Sequence, residues 1–457
     1  MKARYTAVMT LAIITMQTCF AAASSDVSEV CPDPESDVSV EAPIESEPIS
    51  LNAAYRPVSV SQNSGQAVPR YTFPYQNGLY ASVAGYLSVK KVKISNEQIT
   101  KLNVPGFAES FPVHSVVQNQ DAPLVVFLPG IGGRADSDFS KLWPSWFANA
   151  GYHVLWFDST FLPRFNKSAR AGVSGNLWEE TERIKDVISA YLNQAQIASG
   201  KVTRIGVAGM SYGGLEALML GQLSVHGRLP FKLDAVQAYS PPINTKHTAE
   251  IFDEWYRNYR WDYTLVQLEL ALGTKKPLAN DRNLPFSDEM MKAGITAAFH
   301  QTLSDAVLEN NNLYKLNLLP NGSPMDDEYV KADYADAWGY MKYANDMAFP
   351  YWKEKLHLES LDQLIDGAKL LNLLKNQPAC TKIIFAHDDP LNTDADKADL
   401  IAYAADHPQQ VVVLPHGGHV GYVSNRWTKA ELLSLFNCSV NAELSPTLTS
   451  SPRVEYK

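Results

Sequence analysis

Arg204-Ile205-Gly206-Val207-Ala208-Gly209-Met210-Ser211-Tyr212-Gly213-Gly214-Leu215-Glu216-Ala217-Leu218 decides how this chain is read. A short apolar run, Arg204 to Ala208, suits a strand buried on both faces. Leu215 to Leu220 then reads as a helix. The chain must reverse between them within a few residues. Glycines on either side of Ser211 allow this, because a Cβ there would clash. Such a turn lifts a serine oxygen clear of the sheet edge and aims a helix N-terminus at it.

The rest of the chain supplies a matching frame. Further apolar runs are Pro123–Leu128, His153–Phe157, Leu233–Tyr239, Lys382–Ala386 and Gln410–Leu414. Helical patterns alternate with them at Asp138–Ala150, Leu177–Ala198, Gly214–Leu223, Lys397–Asp406 and Lys429–Leu435. Strands alternating with helices predict a doubly wound, mostly parallel sheet. Tyr86–Ile94 and Phe111–Val117 alternate in polarity and are expected to form an antiparallel edge. From Thr245 to Pro378 no strand pattern appears, and Ser287–Glu309, Ala337–Lys355 and Leu361–Lys375 each read as a helix. Residues 58–244 and 379–440 are thus expected to form one core, interrupted by a helical cap over 245–378.

A nucleophilic serine needs a base, and the base needs an orienting acid. In a sheet of this kind they follow in the order Ser, acid, His. The run Lys382–Ala386 ends in His387-Asp388-Asp389-Pro390, which offers two acids. The run Gln410–Leu414 is followed by His416-Gly417-Gly418-His419-Val420-Gly421-Tyr422. Of its two histidines, His419 is favoured, because two glycines before it suit a close approach to the serine. His387, Asp388, Asp389, His416 and His419 also invite a metal reading, but they match no familiar ligand spacing.

From about Tyr80 to Asn437 the chain resembles the α/β-hydrolase superfamily, on the serine turn and on Gly417-Gly418-His419-Val420-Gly421-Tyr422, Asp388-Asp389-Pro390 and Ser240-Pro241-Pro242. The last three look like the branch that hydrolyses medium-chain esters and monoacyl lipids. The resemblance implies Ser211 as nucleophile, His419 as base and Asp389, the residue directly before Pro390, as acid. It also implies an oxyanion hole of two backbone N–H groups, Ile131 and Tyr212. There the chain departs from the family, with Pro129-Gly130-Ile131 where a His-Gly-x is usual. No metal or organic cofactor is implied. A serine peptidase or an acyltransferase would use the same triad, and a non-catalytic binding protein could share the scaffold.

Composition narrows the setting. The 457 residues are 46% hydrophobic with a net charge of −10, which excludes a disordered chain and, without a basic stretch, argues against a nucleic-acid binder. Lys2 and Arg4, an apolar run to Phe20 and Ala21-Ala22-Ala23 read as a cleaved leader over residues 1–23. An exported protein, periplasmic or secreted, is therefore expected. After cleavage no transmembrane segment is expected, and peripheral membrane contact stays open. Residues 24–57, acidic and rich in Pro and Ser, read as a solvated linker, and 441–457 as a tail. The expected partner is a small ester or lipid-like molecule. Of the cysteines left after cleavage, Cys31, Cys380 and Cys438, the last two are expected to pair, because an oxidising compartment permits it.

Overall fold

A computed structural model describes residues 70–194, 201–259, 287–319 and 334–437 of the protein. The leader, the acidic stretch, the tail, Cys31 and Cys438 lie outside the described residues. The strands are β1 Gln98–Leu102, β2 Phe111–Val116, β3 Ala122–Leu128, β4 His153–Trp156, β5 Val202–Met210, β6 Ala235–Tyr239, β7 Thr381–Ala386 and β8 Val411–Leu414, the last six formed by the apolar runs. They form an eight-stranded sheet in the order β1-β2-β4-β3-β5-β6-β7-β8. From β4 to β8 the neighbours run parallel, while β2 is antiparallel to both β1 and β4. With a strand-turn-helix leaving central β5, this is the α/β-hydrolase fold.

The core helices are α1 Gly78–Leu87, α2 Asp138–Asn149, α3 Pro163–Ala169, α4 Leu177–Gln194 and α5 Tyr212–Val225. Between β6 and β7 lie α6 Thr245–Tyr259, α7 Asp288–Leu313, α8 Tyr340–Tyr343, α9 Phe349–Leu356, α10 Leu361–Asp366 and α11 Leu370–Leu373. After β7 come α12 Asp394–Asp406 and α13 Arg426–Leu433. The period of two along each strand divides the apolar side chains between the two faces. Leu124, Val126 and Leu128 of β3, with Ile383 and Phe385 of β7, pack with Ile184 and Val187 of α4 and Leu215 and Leu218 of α5. Val125 and Phe127, with Ile384 and Ala386, pack on the other face with Trp143 and Phe147 of α2 and Trp427 and Leu432 of α13.

A third cluster belongs to the helices between β6 and β7. Phe252, Trp255, Met291, Leu303, Tyr343 and Trp352 are among its large members, and it reaches Leu79 and Tyr80 of α1 and Phe161. Asp253 of α6 accepts the N–H groups of Tyr340 at 2.6 Å and Met341 at 2.8 Å, so it starts α8 from across the cluster.

Two local expectations are corrected. Tyr86–Ile94 is not a strand. The Asn77 side chain accepts the Tyr80 N–H and starts α1, which runs through Tyr86 to Leu87. The antiparallel edge is β1 instead, and β2 lies inside the sheet. β1 was invisible as an apolar pattern because only Leu102 of its residues is buried. Leu361–Lys375 is two short helices rather than one. The Leu370 N–H bonds to Ile243 O at 3.0 Å, which turns the returning chain against the segment leaving β6. α3 opens at Pro163, at the helix start where a missing N–H costs nothing.

Glu216 of α5 is 1% exposed, bonded to the Thr160 hydroxyl. Burial and then the neighbouring Glu180 charge push its carboxyl well above the usual carboxylate range. The folded state thus keeps a proton that the unfolded chain releases, and stability falls as pH rises above the ordinary carboxylate range. Glu216→Gln should remove this contribution. The fall in melting temperature from pH 6 to pH 9 should be smaller in the variant, and equal falls would overturn the assignment.

Cys380 is disulfide-bonded, with its Sγ 3.3 Å from Leu435 O, just beyond α13. Thiol titration of the denatured chain prepared without residues 1–23 should therefore find one free thiol before reduction and three after, matching the three cysteines beyond residue 23. Three before reduction would exclude the bridge.

Candidate active site

Ser211 leaves β5 with φ 54° and ψ −123°, a conformation that an L residue adopts only under constraint. Gly209 makes this feasible. A Cβ there would lie 2.0 Å from Gly213 O, so the strand end and the helix start meet backbone to backbone. The Ser211 N–H donates to Tyr239 O at 2.8 Å and the Gly214 N–H to Ser211 O at 2.8 Å, which locks the turn between β6 and α5.

The expected acid and base reach this serine. His419 Nε2 lies 2.9 Å from Ser211 Oγ, and His419 Nδ1 lies 2.9 Å from Asp389 Oδ2. Asp389 is fully buried just beyond β7. Its other oxygen, Oδ1, accepts the Leu391 N–H at 2.9 Å, and its own N–H bonds to Ala386 O at 3.0 Å. Both carboxylate oxygens are therefore committed, which fixes the plane in which the imidazole is held.

Asp388 does different work. Its Oδ1 accepts the Gly418 N–H at 2.8 Å, and its Oδ2 is 3.7 Å from His416 Nδ1. Burial raises its carboxyl above the usual range. It anchors the histidine loop and does not touch His419. His416 turns toward Asp388, and its carbonyl accepts the Tyr71 hydroxyl at 2.6 Å. His387 is exposed. Among the described residues no group of three or more His, Cys, Asp or Glu is placed to hold a metal ion.

The histidine loop is gripped from outside by α1. Ser82 Oγ accepts the His419 N–H at 2.7 Å and donates to Gly78 O at 2.6 Å. Gly418, at φ 57°, would place a Cβ 2.1 Å from Gly78 O, so only glycine fits between helix and loop. A Cβ on Gly85 would likewise lie 2.3 Å from Gly421 Cα. On the inner side Ser240 Oγ lies 2.8 Å from the Tyr422 hydroxyl and accepts the Val420 N–H at 3.3 Å. None of these supports was expected from the sequence. One signal was present: Gly78, Ala81, Ser82 and Gly85 recur at helical spacing, a stripe small enough for close backbone approach.

The two expected oxyanion donors lie on turns that flank the serine. Tyr212 opens α5, so its N–H is one of the first-turn donors without an intrahelical acceptor. Ile131 follows Gly130, whose Cβ would be 3.0 Å from Ser211 Cβ. Pro129 in place of histidine leaves that approach intact. Over the same turn passes α7, where Thr302 Oγ1 would lie 2.7 Å from a Cβ on Gly132.

No protein-family model matches the sequence, and no curated protein matches it. Solved structures of similar shape include the Pyrococcus furiosus esterase Pf2001, 14% identical, with 80% of this chain and 98% of that one covered and a TM-score of 0.39. The carboxylesterase EstE1, cloned from a metagenomic library, is 12% identical over 78% of this chain and 94% of its own, with a TM-score of 0.41. The Pyrococcus horikoshii acylaminoacyl peptidase is 11% identical over 77% of this chain but only 42% of its own, with a TM-score of 0.38. These are distant shapes, and the fold assignment stands on the strand order of the sheet.

The two acids are separable by experiment. In Asp389→Asn the amide oxygen must face the Leu391 N–H, so the amide nitrogen faces His419 Nδ1. The ring proton is then forced onto Nε2, which can no longer accept from Ser211. Loss of turnover on the order of 10³–10⁴-fold is expected. Asp388→Asn keeps an acceptor for the Gly418 N–H and should cost less than about tenfold, since only a loop anchor is altered. Measuring kcat/KM of both variants on one soluble ester checks this, and a crippled Asp388→Asn would reverse the assignment.

Proposed function

We propose that this chain is an exported serine hydrolase that cleaves carboxylic esters, medium-chain or lipid-like, through an acyl-enzyme. The observation that carries the reading is the unbroken relay from Asp389 through His419 to Ser211, with 2.9 Å at each step, ending on a serine held in a strained turn. In this reading Ser211 Oγ passes its proton to His419 Nε2 as it attacks the ester carbonyl. Asp389 holds the Nδ1 tautomer and stabilises the imidazolium. The N–H groups of Ile131 and Tyr212 take the charge of the tetrahedral oxygen. His419 returns the proton to the departing alcohol, and water repeats the sequence on the acyl-enzyme. The chemistry needs no metal or organic cofactor.

The preference for apolar acyl groups draws on the likeness to the medium-chain and monoacyl-lipid branch and on the aromatic cluster beside the serine. Phe161 of that cluster lies with its ring 6.5 Å from the Tyr212 ring, next to the nucleophile. Export draws on the leader pattern of residues 1–23.

Purified protein should take up a fluorophosphonate at Ser211, located by mass spectrometry, and hydrolyse p-nitrophenyl esters. Ser211→Ala should abolish labelling and lower kcat by about 10³-fold or more with the fold intact, as expected when one member of a unit is removed. A rate optimum among esters of intermediate chain length would support the substrate class. Faster cleavage of aminoacyl amides than of any ester would replace it with a peptidase. Labelling absent from Ser211 would end the hydrolase reading.

A further inference from the structure

Two buried acids flank Tyr212, the residue directly after the nucleophile, and the relay from Asp389 to Ser211 uses neither. Glu180 of α4 is 2% exposed and Glu216 of α5 is 1% exposed. Among the described residues no cation is paired with either carboxyl. Buried carboxylates without a counter-ion are destabilising, and an apolar side chain of similar volume would pack there at less cost. Something other than stability therefore accounts for them.

Their partners show the division of labour. The Tyr212 hydroxyl donates to Glu180 Oε2 at 2.6 Å, and the Gly175 N–H donates to Glu180 Oε1 at 2.7 Å. Burial raises the Glu180 carboxyl above the usual range, and these two donors act against that rise by favouring the charged form. Glu216 is paired with the Thr160 hydroxyl. The other end of the system is tied into the helices between β6 and β7. The Tyr343 hydroxyl donates to Ser174 O at 2.8 Å and receives Asn310 Nδ2 at 2.9 Å, so the Ser174-Gly175 backbone is held from both sides. Tyr212 itself is at the first position of α5, where no helical bond fixes its N–H. The Ser211 and Gly214 bonds hold the turn on either side of it, and its side chain adds a separate hold on Tyr212 itself.

We infer that Glu180 is a positioning residue for the reaction. By holding the Tyr212 phenol it sets the backbone of Tyr212, and so the aim of the N–H that receives the tetrahedral oxygen. The inference rests on the reading of that N–H as an oxyanion donor. It differs from a packing role in what it alters. An oxyanion donor acts in the transition state, so its misplacement lowers kcat and leaves substrate binding alone.

The test uses the full mature protein and four variants: Glu180→Ala, Glu180→Gln, Tyr212→Phe and the Glu180→Ala/Tyr212→Phe pair. Readouts are kcat and KM on one soluble ester, the second-order rate of fluorophosphonate labelling, and the melting temperature. Glu180→Ala and Tyr212→Phe should each lower kcat and labelling rate about tenfold or more, with KM within about threefold, as for a weakened oxyanion donor. The pair should be no worse than Glu180→Ala alone, because that change already removes the bond that Tyr212→Phe breaks. Glu180→Gln keeps a carbonyl for the Gly175 N–H and offers its amide N–H to the phenol oxygen, so it should restore kcat to within about threefold of wild type. If Glu180→Ala does not fold, Tyr212→Phe and Glu180→Gln decide the matter. Unchanged kcat in Tyr212→Phe, multiplying losses in the pair, or an effect confined to KM would overturn the inference. Failure of the wild-type protein to label at Ser211 would instead remove the hydrolase reading on which it stands.

Discussion

Everything at the candidate site depends on one constraint, that the chain turn from a buried strand into a buried helix within three residues at Ser211. The turn holds a serine at positive φ and brings β5 and α5 into backbone contact through Gly209. Such strain of about 1–3 kcal/mol persists only where the surroundings over-determine it. They do so here. The strand is hydrogen-bonded on both sides, and α5 is buried from Tyr212 to Leu220. The serine oxygen is left facing His419 at the top of the junction.

The acid and base are placed by the same sheet, since β7 and β8 are the next strands but one and two beyond β5 in sheet order. Strand ends alone do not fix a histidine within hydrogen-bonding reach of a serine. That is achieved by loop anchors, with Asp388 on Gly418, Ser82 on His419 and Ser240 on Val420. Each holds a backbone N–H, so the imidazole is oriented through its own main chain as well as through Asp389. Adjacent aspartates thereby divide two tasks that their sequence positions could not separate.

The fold was largely legible because buried parallel strands carry continuous apolar runs, and six of those runs became strands. Ser211, His419 and the pair Asp388-Asp389 were legible because a sharp glycine-flanked turn and two strand-end loops leave few positions for them, and the choice of Asp389 within the pair came from the family resemblance. The polar edge strand β1 was not, since four of its residues face solvent and carry no pattern. Nor was α1, whose last residues, Tyr86 and Leu87, take on the alternation of a strand when joined to Ser88–Ile94. Glu180 was hidden for another reason. In sequence it is one more acid near the start of an amphipathic helix, and only burial beside Tyr212 marks it out.

The grip of α1 on the histidine loop has a consequence for the order of assembly. Ser82 and His419 are 337 residues apart, and the loop they close encloses nearly all of the described chain. Closing a loop of that length is entropically late, because its contacts form only after shorter-range pairing has ordered what lies between. During synthesis the central strands and α5 can collapse around Ser211 while the segment that carries His419 has yet to be made. The nucleophile is therefore built early and left without its base. The site becomes complete only when α1 and the histidine loop meet at the edge of the finished sheet.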